Sequence, residues 1–148
     1  PCRCTQKEIA RYLGRISGPL LDRIDMQLEV TAVPVRQITE SAPEEPSADI
    51  HKRVQAARER QQKRYAGEGI SCNAELSARQ LETFCPLDDA CRELLGKACD
   101  TYHLSMRAVS RVRKVARTIA DLAGAEEIGR AHLLEALRYR NLEGNYWK

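Results

Sequence analysis

Aromatic side chains are scarce in this sequence: one Phe, one Trp and five Tyr in 148 residues. A chain of this length can bury a single core, or one core plus part of another, and here aliphatic and small side chains must fill it. Long apolar runs are missing too. None approaches the ~20 residues a membrane-crossing helix needs, and no charged-then-apolar leader opens the chain. The expectation is a soluble, cytoplasmic protein with no membrane partner. None of the eight glycines belongs to a Gly-x-x-x-x-Gly-Lys-[Ser/Thr] phosphate loop. There is also no apolar strand ending in the paired acidic residues that hold magnesium. His51, His103 and His132 fall on three different predicted elements, with no base–nucleophile arrangement among them. On its own, this chain is expected to hydrolyse nothing and to bind no cofactor.

What is abundant is charge, at 30% of residues, together with recurring Ala, Leu and Arg. That composition favours amphipathic helices over a sheet, so the fold class is mainly α. A net charge of +3 permits contact with nucleotide or nucleic acid without demanding it. Of the six cysteines, Cys85, Cys91 and Cys99 recur where a helix buries small apolar residues, and Cys72 precedes a predicted helix start. These four read as reduced thiols. Cys2 and Cys4 could give two thiolates to a tetrahedral zinc, which requires four ligands.

The helix signals are strong. Thr5-Gln6-Lys7-Glu8 is a capping box opening a helix to about Leu13, with Gly14 at its end. Ile24 to Val30 alternates apolar and polar residues, predicting a strand with one buried face. Pro34, Pro43, Pro46 and Glu44-Glu45 mark a linker, which divides the chain into 1–33, 34–46 and 47–148. In the last part Ser47 caps a long polar helix to about Ala66. Ser77-Ala78-Arg79-Gln80 is a second capping box for a helix through Phe84, and Pro86 begins the next. Ser105 caps a helix whose inner stripe is Val109, Val112, Val115, Ala116, Ile119 and Leu122, ending at Gly124. A final helix, about Arg130 to Tyr139, turns Ala131, Leu134 and Leu137 inward.

Two arginines stand out by position. Arg23 follows a tight turn and a very short helix: Ser17 can cap, Gly18 can turn and Pro19 suits the first helical position. Leu20 and Leu21 anchor the turn, and Asp22, Arg23 and Asp25 lie near the surface. A guanidinium there suits contact with a phosphate on a neighbouring molecule. The competing reading is a local salt bridge to Asp22 or Asp25. Arg107 lies in the first turn after the Ser105 cap, where a cation is unfavourable by a few tenths to ~1 kcal/mol against the helix dipole. The same helix end attracts anions, so a phosphate between it and Arg107 would resolve the conflict. The competing reading pairs Arg107 with a carboxylate such as Asp100. Lys52, Arg53, Arg58, Arg60, Lys63 and Arg64 offer a basic face on the long helix. Glu59 and several glutamines interrupt it and only Tyr65 interleaves, so a solvated face is expected there rather than a nucleic-acid surface.

The run Arg15-Ile16-Ser17-Gly18-Pro19-Leu20-Leu21-Asp22-Arg23-Ile24-Asp25 resembles the segment that carries the arginine finger in AAA+ ATPases of the magnesium-chelatase-like group, particularly the ComM/YifB proteins. Ser105-Met106-Arg107-Ala108, continued by Arg111-Val112-Arg113-Lys114-Val115-Ala116-Arg117-Thr118-Ile119-Ala120-Asp121-Leu122-Ala123, is similar to the sensor-2 helix of that group. The helix from Ala131 to Arg140 adds to the likeness. The resemblance implies an AAA+ lid-type helical bundle attached to a helix, turn and strand left from an α/β ATPase core. By it, Arg23 acts in trans on ATP bound by the next subunit, and Arg107 touches the γ-phosphate in its own subunit. It also implies a homo-oligomeric ring, expected to be a hexamer, using ATP and Mg2+ in the intact protein and acting on DNA in branch migration. A further cysteine pair upstream in ComM-like proteins would complete a zinc site with Cys2 and Cys4. The opening at Pro1, without methionine, fits a C-terminal fragment of such a protein. The alternatives are a magnesium-chelatase I-type subunit and a stand-alone helical module that binds DNA or protein without ATP.

Overall fold

A computed structural model describes residues 3–30, 32 and 44–140. The bundle predicted after the linker is present, and its boundaries follow local capping chemistry. Helix α3 (Ser47–Arg64) leads to a short 3-10 turn at Asn73–Glu75. Helices α4 (Ala78–Phe84), α5 (Asp89–Tyr102), α6 (Met106–Leu122) and α7 (Arg130–Arg138) follow. The Ser77 capping box forms as predicted, Ser77 Oγ accepting from Gln80 N and Gln80 Oε1 accepting from Ser77 N. The Ser105 hydroxyl caps α6 by accepting from Ala108 N at 3.1 Å. Two starts differ from expectation. Ser47 is the first helical residue of α3, with Pro46 at the cap. Helix α5 begins at Asp89 because the Asp88 carboxylate accepts from Cys91 N at 2.6 Å, a stronger start signal than Pro86.

Helix α6 is the centre of the core. Val112, Ala116 and Ala120 are buried with Leu81, Cys85, Cys91, Leu95, Ile128 and Leu133. The single Phe is used here: Phe84 meets Tyr65 edge-on, ring centroids 5.1 Å apart. Burial pushes the Cys85 and Cys91 thiols up to about 11, as befits core fillers. Two predicted faces are turned. Leu122 is exposed and Arg117 and Asp121 are buried in its stead. On α7 the buried residues are Leu133 and Ala136, while Ala131 and Leu134 face out. Leu134 lines a groove of about 290 Å³ with Leu94, Ala98 and Tyr102 of α5.

The first part of the chain packs on this bundle. Helix α1 (Gln6–Leu13) has its capping box, with Thr5 N donating to Glu8 Oε2 at 2.7 Å. Helix α2 (Gly18–Leu21) is the predicted short turn, with Leu21 buried and Leu20 exposed. The strand expected at Ile24–Val30 does not form, and no strand occurs among the described residues. Ile24, Met26, Leu28 and Val30 face solvent, Val30 being 90% exposed, whereas Gln27 is buried. A strand needs a neighbour for its backbone groups, and none is among these residues. The segment is tied instead by Gln27 N, which donates to the Tyr139 carbonyl at 2.8 Å. The linker expected at 34–46 lies, up to residue 43, outside the described residues.

Candidate functional site

Arg23 follows α2, its backbone N–H closing the turn on Leu20 O at 3.0 Å. Its side chain is exposed and makes no ion pair among the described residues. The local salt bridge weighed for it is not formed, because both candidate carboxylates are engaged elsewhere. Asp22 accepts from Arg140 at 3.5 Å, and Asp25 is paired with Arg111 of α6. Arg107 is likewise exposed in the first turn of α6, with neither Asp100 nor any other carboxylate paired to it among the described residues. It stands one turn before Arg111 on the same helix face. The Asp25–Arg111 pair therefore brings the Arg23 segment against the α6 face that bears Arg107. Among the described residues both guanidiniums lack an ion pair, while Asp22 is engaged by Arg140 and Asp25 by Arg111.

The other α6 cations are structural. Arg113 reaches Glu82 at 2.5 Å and donates to the carbonyls of Leu81 and Cys85, both at 2.9 Å, closing the end of α4. That contact holds the Glu82 carboxyl below the usual carboxylate range. Lys114 donates to Ala74 O at 2.8 Å. Arg117, 2% exposed, donates to the carbonyls of Ala125 and Glu126, each at 2.7 Å, and pairs with Asp121 at 3.1 Å. Asp121 is also bonded to Arg64 of α3 and to Asn73 Nδ2 at 2.9 Å. Asn73 N donates to Gln61 Oε1 at 3.0 Å, and Tyr65 Oη donates to Asn73 Oδ1 at 2.5 Å. The Asp121 carboxylate raises Arg64 above an arginine's ordinary value, whereas burial pulls Arg117 down. Hydropathy patterning missed this network. The only signals were the i,i+4 spacing of Arg117 and Asp121 and the Asn in a turn, both of which also occur on surfaces.

Half of the six cations on the basic face of α3 are paired: Lys52 with Asp49, Arg53 with Glu45 and Arg64 with Asp121. Cys4 is an exposed free thiol, and Cys2 lies outside the described residues. No group of three or more His, Cys, Asp or Glu that could hold a metal ion occurs among the described residues. No described helix is long and apolar enough to cross a membrane.

Residues 44–140 match the family model for the C-terminal part of magnesium chelatase subunit ChlI, and residues 1–38 match that for subunit ChlI itself. The chain belongs to the magnesium chelatase ChlI family. It is a magnesium-chelatase-like chain of the ComM/YifB kind. It is 42% identical to YifB of Salmonella typhimurium over 142 residues, covering 95% of this chain and 27% of that protein. It is also 42% identical to the competence protein ComM of Haemophilus influenzae, over 93% of this chain and 26% of that protein. YifB of Escherichia coli matches at 42% over 95% and 27% respectively. The chain thus spans about a quarter of the length of the curated relatives it matches. The family is of the AAA+ type, which generally uses ATP with Mg2+ and assembles into oligomeric rings. Its helical C-terminal lid is the bundle described above.

Proposed function

We propose that this chain is the C-terminal part of a cytoplasmic, ring-forming ATPase motor of the ComM type. In this reading residues 1–33 end the ATPase core, 34–46 link, and 47–148 form the lid. Arg23 is the arginine finger that completes the ATP site of the next subunit, and Arg107 is the sensor-2 residue that contacts the γ-phosphate in its own. The observation that carries this reading is that both guanidiniums are exposed and make no ion pair among the described residues, while Asp22 is engaged by Arg140 and Asp25 by Arg111.

Two unpaired guanidiniums suit the donor chemistry of a triphosphate, because each can offer a fork of N–H groups to phosphate oxygens. ATP with Mg2+ would supply the anhydride to be cleaved, with its phosphate loop provided outside this chain. Arg23 would stabilise charge that develops on the transferring phosphoryl group, and Arg107 would hold the lid against the nucleotide. Loss of that second contact frees α6 to move, and the bundle carries the movement around a ring, proposed to be a hexamer. Cys2 and Cys4 would give two of the four thiolates of a zinc site, the others coming from outside this chain.

The proposed polymer is DNA, with branch migration as the work done; similarity to a protein named for competence supports it. The test uses the whole protein. Arg23→Ala should lower ATP turnover by about 10³–10⁵ with nucleotide binding retained. Arg107→Ala should weaken nucleotide binding, and duplex or branched DNA should stimulate the wild type. Unchanged turnover in Arg23→Ala would overturn the finger reading. Absence of any DNA effect would leave a motor for another substrate, such as the metal insertion of a magnesium-chelatase I-type subunit.

A further inference from the structure

Arg140 follows the end of α7 and is only 4% exposed. Its guanidinium reaches back 116 to 119 residues in sequence to the turn that carries Arg23. Nη1 donates to the carbonyls of Leu21 at 3.3 Å and Ile24 at 2.5 Å, and Nη2 faces Asp22 Oδ1 at 3.5 Å. These three contacts bracket Arg23 on both sides and leave its own side chain exposed. A four-residue helix such as α2 has few internal bonds: Gly18 O, Leu20 O and Leu21 O accept from Asp22 N, Arg23 N and Ile24 N. Arg140 adds donors from outside the turn, its planar fork reaching the Leu21 and Ile24 carbonyls and facing the Asp22 carboxylate. Two further ties run the same way: Gln27 N to Tyr139 O at 2.8 Å, and Asp25 to Arg111.

We propose that Arg140 is a positioning residue for Arg23, clamping the finger turn to the end of the helical bundle so that movement of the bundle redirects Arg23. This rests on reading Arg23 as the finger. Arg111 is the second link of the same clamp: it lies one turn after Arg107, so a phosphate held at Arg107 is communicated through α6 to Asp25 and thence to Arg23.

The test measures kcat, KM for ATP and amide hydrogen exchange in the whole protein carrying Arg140→Ala, Arg140→Lys, Arg23→Ala, or Arg140→Ala with Arg23→Ala. A misplaced group costs on the order of 10²-fold in rate. Arg140→Ala should therefore lose about that much in kcat with KM unchanged, and Arg140→Lys should fall between it and wild type. The double variant should be no slower than Arg23→Ala, because the clamp acts only through the finger. Exchange should quicken over residues 18–27 while α5 and α6 keep their protection. Should Arg140→Ala disturb the bundle as well, Arg111→Gln gives the same readouts from the exposed tie. Multiplicative losses in the double variant, or unchanged exchange over 18–27, would overturn the clamp. Full turnover in Arg23→Ala would instead remove the finger reading and the clamp's part in turnover, while exchange still decides whether Arg140 holds the turn.

Discussion

Asp121 is a buried carboxylate held between two guanidiniums. It faces Arg64 and Arg117 with Asn73 alongside, and Arg117 Nη1 and Nη2 also donate to the Glu126 and Ala125 carbonyls. Removing the carboxylate strands two cations, one of them nearly inaccessible. Asp121→Ala should cost about 3–5 kcal/mol, read as a shift in the urea unfolding midpoint; a loss under ~1 kcal/mol would show the triad to be dispensable. The buried thiols add a pH dependence. Folded Cys85 and Cys91 ionise only near 11, against an ordinary value of 9.0. Above pH ~9 the unfolded chain releases protons that the folded chain keeps, so stability should fall as pH rises from about 9 towards 11. Urea midpoints at pH about 8 and about 10 measure it, and Cys85→Ala with Cys91→Ala should flatten the slope. At this scale the sequence made the positions of Arg23 and Arg107 legible, after a short turn and after a helix cap, because local turn and cap residues fix where they stand. Arg117, Asp121 and Arg140 were not legible. Asp121 and Arg140 are buried against partners 48 to 119 residues away, which no local pattern contains. The Arg117 partners lie four to nine residues on, a spacing that surfaces also show.

Helices read well where their ends carry side-chain caps and less well where only periodicity speaks. The Thr5–Glu8 and Ser77–Gln80 boxes and the Ser105 cap all form at the expected residues. Ser105→Ala should cost about 1 kcal/mol and fray the turn that bears Arg107; thermal melting and exchange at Ala108 N would check both. The end of α5 was not anticipated: His103 closes it in the left-handed region at φ 50°, a conformation glycine adopts without penalty. His103→Gly should stabilise the chain by up to ~1 kcal/mol, and a decrease in stability would show that the imidazole makes a contact of its own. The inward face of α7 was misread by about one residue position because Leu133 and Leu134 are adjacent leucines, either of which fits the spacing. The alternation at Ile24–Val30 forms no strand, because no neighbouring strand is present among the described residues. A hydrophobic period specifies a face and cannot supply the neighbour that the face requires.

Taken as a whole, the molecule joins a short arm bearing Arg23 to a helical lid bearing Arg107 through Arg111–Asp25, Arg140 and the Gln27–Tyr139 backbone bond. Such ties between an arm and a bundle are what a motor needs if the state of one nucleotide site is to be felt at the next. That the bundle is mainly helical was legible from composition and caps; that it is a lid followed from the resemblance. The arm's docking was not, since it depends on single long-range contacts. The central claim is that Arg23 works on a neighbour, and mixing tests it most directly. Whole protein carrying Arg23→Ala is combined with whole protein whose phosphate-loop lysine is replaced, each inactive by itself, and ATP turnover of the mixture is measured. The account predicts that turnover returns, because mixed rings contain sites in which an intact finger meets an intact phosphate loop. A mixture as inactive as its parts, with mixed rings verified to form, would contradict it.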